Sequence, residues 1–143
     1  MLVLAQNDLG EGNIDNYIIP SSAHLWTGVV VLVTMTILTV LVARHAARNE
    51  PVGRATYLAL FSATVALAAQ ILLGIKLLDQ GQGIRQLYIH YVGGMIPMGA
   101  FLAAGWFARG DTGRSSRILA VLVAVGYVSA LMAFFIGRSF ANA

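Results

Sequence analysis

Four long runs of apolar residues, broken by three short polar segments, set the pattern of this chain. The runs cover about residues 24–43, 55–78, 88–108 and 118–137, separated by "ARHAARNEPVGR", "DQGQGIRQ" and "ARGDTGRSSR". A helix needs roughly 20 mostly apolar residues to cross the hydrocarbon of a bilayer, and each run supplies them. Pro51 and the glycines of the connections are ordinary breaks between helices. The expected fold is all-α, an integral membrane four-helix bundle. Residues 23–143 form its single transmembrane domain, and residues 1–22, with Asp8, Glu11 and Asp15, form a polar extramembrane arm.

Composition strengthens this reading. The 143 residues are 58% hydrophobic and 10% charged, with a mean hydropathy of +0.77, whereas soluble domains carry about 25% charged residues. There is no cysteine, which excludes disulfides, iron–sulfur clusters and thiolate chemistry. The net charge of +3 is unevenly spread. Arg44, Arg48, Arg54, Arg109, Arg114 and Arg117 belong to the first and third connections. The second holds only Arg85, with Lys76 just before it. Basic residues collect on the cytoplasmic side of a membrane, so the N- and C-termini are both expected outside, in a bacterial inner membrane. The arginines flank spans rather than forming a stacked aromatic surface, so no nucleic-acid partner is expected.

That orientation puts the openings of the first and third helices at one level, and each opening carries a histidine. "AHLWTGVVV" and "IHYVGGMIP" both place a glycine four residues after the histidine, His24 with Gly28 and His90 with Gly94. The offset is 66 residues for both histidines and glycines, as in a diverged repeat. Positions i and i+4 share a helix face, and a glycine one turn below a histidine clears room for a flat ligand. Two such faces opposed inside a bundle suit a haem, with each imidazole giving one axial nitrogen to iron. Lys76 and Arg138, near the same end, could neutralise its propionates.

Each of these residues also has an ordinary structural reading. A histidine near an interface can simply be hydrated or hydrogen-bonded, and His45 sits in an arginine-rich connection. Tyr88, Tyr91 and Trp26 fit an aromatic belt at the membrane surface. Met95 and Met98 fit as packing. A quinone could accept hydrogen bonds from His or Tyr at this level, but no residue marks its site.

"QILLGIKLL", from Gln70, followed by a short loop and a helix opening on His90, resembles the repeated half of the haem A synthase family. The resemblance covers His24 with Gly28, Gln70 with Leu73 and Gly74, and His90, over residues 24 to about 108. It implies a four-helix bundle in which His24 and His90 are the axial pair of one haem, with Gln70 at the cofactor. Leu25 follows His24 where the family commonly has arginine, the nearest preceding acid is Asp15, and the family's external cysteine pair is absent. The expectation is therefore a bis-histidine cytochrome holding haem b, an electron-transfer subunit working with other membrane subunits of a respiratory or photosynthetic redox complex, and not an enzyme by itself. Two alternatives stay open: a haem-free accessory subunit of a membrane complex, and a haem A synthase-like oxidative enzyme.

Overall fold

The computed structural model describes residues 17–81, 88–107 and 113–141. It contains four helices: α1 (Ser21–Arg48), α2 (Arg54–Asp79), α3 (Tyr88–Phe107) and α4 (Gly113–Ala141). No strand occurs among the described residues. Most of the expected N-terminal arm and of the second connection, with Arg85, and half of the third, with Arg109, lie outside them.

The helices outrun the apolar runs that announce them. α1 continues through the polar segment "ARHAAR" to Arg48, and α4 starts at Gly113 rather than near residue 118. Hydropathy marks where hydrocarbon would end, whereas a helix ends where its backbone bonding ends. For α1 that is Asn49, which turns left-handed at φ 55° and donates its N–H to the carbonyls of the last turn. Pro51 and Gly53 follow, and α2 begins at once.

Three helices, α1, α2 and α4, are long and apolar enough to cross a membrane. α3 is the exception to the four expected spans. It has 20 residues, and His90, two tyrosines and several glycines dilute its apolar character. It runs through Pro97, which is buried against the α4 backbone at Gly126.

The packing order around the bundle is α1–α2–α3–α4, closed by an extensive α4–α1 contact, so α1 and α3 are diagonal. The α3–α4 seam is the tightest and the α2–α3 seam the sparsest. Val31, Met35, Leu38 and Val42 of α1 meet Ala63 and Leu67 of α2, Phe101 and Ala104 of α3, and Leu119 and Val123 of α4. Small residues set the close approaches: Gly93 lies over Ala133, and Gly126 over Pro97 and Phe101. Lipid offers apolar helices no hydrophobic gain on association, so dispersion contacts at such small-residue seams hold a bundle together in a bilayer. The outer faces carry Val30, Val33, Ile37, Val40, Phe61, Leu72, Leu102, Val121 and Phe135, all exposed. So large an unbroken apolar surface implies a lipid environment.

Candidate ligand site at the histidine end

The core gives way to a polar cluster above Val31, where α1 and α3 begin and α2 and α4 end. His24 and His90 reach towards each other from the diagonal helices, with ring centroids 6.2 Å apart and ring planes at 72°. Both are half-buried. The matched height expected from the two helix openings is thus present in the fold.

Each ring rests on a glycine of a neighbouring helix. A Cβ at Gly74 of α2 would come within 3.2 Å of His24 Cε1, and one at Gly137 of α4 within 2.8 Å of His90 Cε1. The glycines one turn below the histidines behave differently. Gly28 is covered by the Gln70 amide and the Phe134 ring, whereas Gly94 faces open space.

The polar partners of the two imidazoles are unlike. His90 donates Nδ1–H to the carbonyl of Ala133 at 2.8 Å. A ring that donates through Nδ1 carries its lone pair on Nε2, the usual arrangement of a metal-binding histidine held by a carbonyl. His24 Nε2 lies 3.2 Å from the Gln70 side-chain nitrogen. That amide also meets the Thr27 hydroxyl through its oxygen, and Thr27 bonds the backbone carbonyls of Ala23 and His24. Thr27, Gln70 and His24 thus form one chain of hydrogen bonds linking α1 to α2. His24 Nδ1 is buried without a hydrogen-bond partner.

The remaining sequence candidates are placed as follows. Lys76 forms an ion pair with Asp79 at 2.8 Å, near the end of α2. Arg138 is exposed near the end of α4. Tyr91 stands edge-on to His90, with ring centroids 5.5 Å apart, so it belongs to the cluster. Trp26 is 67% exposed, as an aromatic-belt residue would be. His45 is at the far end of the bundle, 4.0 Å from Glu50.

Three participants carry signals too weak to read from the chain alone. Gly137 seats His90, and Ala133 bonds it, yet a glycine and an alanine in an apolar helix predict only packing. Gln80 is the third. Its amide accepts from the Ile19 N–H at 2.8 Å and donates to the Ile19 carbonyl at 3.0 Å, pinning the entering chain to the end of α2.

Among the described residues no group of three or more His, Cys, Asp or Glu side chains could hold a metal ion. Ligation here would rest on the two imidazoles. No protein-family model matches the chain, and no curated protein or solved structure matches it either. The likeness to the haem A synthase family therefore stands on the quoted motifs alone.

Proposed function

We propose that the chain is a b-type membrane cytochrome, in which His24 and His90 hold a haem and the bundle serves as an electron-transfer subunit of a redox complex in a bacterial inner membrane. The observation carrying this reading is the spacing of the two rings. Imidazole–metal bonds of about 2 Å on either side of one iron put ring centroids about 6 Å apart, and the observed separation is 6.2 Å. The direction of His90 supports it further, because the bond to Ala133 fixes the tautomer that leaves Nε2 as the electron-pair donor.

When bound between His24 and His90, haem would supply a one-electron iron couple, which suits electron transfer rather than binding of oxygen. The chain's own residues do the rest. Gly74 and Gly137 leave room for the rings against α2 and α4. The Gln70 amide, held by Thr27, lies against His24 Nε2 and would have to turn aside for that nitrogen to meet iron. Lys76 and Arg138 give this end its cationic side chains for propionates. Crossing of the membrane by α3 as the fourth span, with both termini outside, completes the proposal.

The His24–Gln70 bond favours a second reading. A ring nitrogen satisfied by an amide, beside a Gly28 face covered by Phe134, also suits a haem-free accessory subunit. A visible spectrum of the purified, folded protein separates the two. The cytochrome reading expects a reduced b-type α-band that disappears in His24→Ala and in His90→Ala. A colourless wild-type protein, from cells that make haem, would leave the accessory subunit standing.

A further inference from the structure

The end of the bundle opposite the histidines gathers arginines around one corner. Arg117 Nη2 donates to Asn49 Oδ1 at 3.0 Å, and Gly113 packs against the side chain and carbonyl of Asn49. These contacts join the C-terminus of α1 to the first turns of α4. Arg48 is next to Asn49, and Arg114 is next to Gly113. Arg48, Arg114 and Arg117 are all exposed. Three cations thus belong to one corner, and Glu50, just after α1, lies 4.0 Å from His45.

Arg117, Ile118, Val121 and Leu122 line a shallow, open groove of about 300 Å³ on the surface of α4. Arg114 stands three residues before Arg117 and four before Ile118, so it falls on the same helix face. That face therefore reads as two guanidinium groups above a strip of aliphatic side chains. Val121 and Val125 extend the strip and are 64% and 50% exposed.

We propose that this corner is a binding site for an anionic phospholipid. Its phosphodiester would lie between Arg114 and Arg117, and one acyl chain would follow the groove along Ile118, Val121 and Leu122. Charge and shape choose the occupant together. A guanidinium binds a phosphate through paired N–H groups, and Arg117 uses only one of its five N–H donors on Asn49. An aliphatic strip running from that point needs a hydrocarbon chain attached to the phosphate. A soluble phosphate ester would satisfy the arginines and leave the groove to other lipid. Asn49 holds the Arg117 guanidinium at the head of the groove, so the site is fixed to the α1–α4 contact rather than to a freely moving side chain.

The test uses the full chain in bilayer discs of phosphatidylcholine containing a minor fraction of phosphatidylglycerol. After extraction in mild detergent, native mass spectrometry counts the lipid retained. Retained phosphatidylglycerol should exceed its bilayer fraction for the wild type, and the paired variant Arg114→Gln/Arg117→Gln should lose it. At about fivefold per arginine near a membrane surface, the pair amounts to about twenty-five-fold. Retention that follows the bilayer composition, or that is equal in wild type and variant, overturns the proposal. So does displacement of the lipid by millimolar inorganic phosphate, which would assign the arginines to a free anion. Should the paired variant fail to fold, Arg114→Gln and Arg117→Gln are measured singly. A loss in neither decides against the site.

Discussion

A methyl group is the smallest probe of how the two imidazoles are seated. Added at Gly137, it would meet His90 Cε1 at 2.8 Å and Nδ1 at 3.0 Å. The ring cannot yield without giving up its bond to Ala133. Gly137→Ala should therefore cost about 1–3 kcal/mol and, on the cytochrome reading, weaken the α-band. Gly94→Ala meets nothing within 4 Å, so stability should hold or rise by up to about 1 kcal/mol through helix propensity, while a cofactor lying on that face would lose absorbance. Thermal unfolding in detergent and the absorbance of the same samples check both. The contrast shows what the chain discloses at this scale. The two histidines and their common height follow from helix openings and charge asymmetry. Which glycines lie against them depends on the rotation of α2 and α4, and an almost uniformly apolar helix leaves that rotation unmarked. Gln70 was legible as part of a motif, but its bond to His24 was not, because a side-chain pairing across helices has no sequence spacing.

Helices meet here through the absence of side chains as much as through their presence. Gly126 brings α4 to Pro97 so closely that a Cβ would stand 3.3 Å from the proline Cα, a backbone atom that cannot rotate away. Gly126→Val should push α3 and α4 apart at a cost of about 1–3 kcal/mol, read as a lower unfolding midpoint. Gly105→Val, where a Cβ would touch nothing, is the control. Helix number and order are plain in the hydropathy, since four apolar runs become four helices. Their ends are not. Arg44 and Arg48 are as compatible with a helix as with a loop, so α1 stops only where Asn49, Pro51 and Gly53 break its bonding. The proline in α3 leaves no break, because tight packing on α4 holds both sides of it in one helix.

Orientation belongs to the molecule as a whole. The structure separates a histidine end from an arginine end, and the excess of basic residues at the latter predicts that it faces the cytoplasm. The chain has no cysteine, so a single introduced thiol reports its own side. Ser22→Cys, at the exposed start of α1, should react in intact cells with a membrane-impermeant maleimide. Ala47→Cys, near the exposed end of the same helix, should react only after lysis. The reverse pattern would invert the molecule and put the arginine corner in the outer leaflet. The apolar exterior of the bundle was readable from composition, but the unequal tightness of its seams was not, since that follows from which small residues fall opposite each other.

The slack between α2 and α3 leaves that flank of the bundle less firmly closed than the other three. A greasy molecule diffusing within the bilayer has its easiest sideways approach to the imidazoles there, without passing through water. On the cytochrome reading, bulky residues placed along that flank should then slow loading of haem, followed as growth of the α-band, while leaving its final affinity untouched, much as narrowing a doorway delays guests without changing how many the room seats.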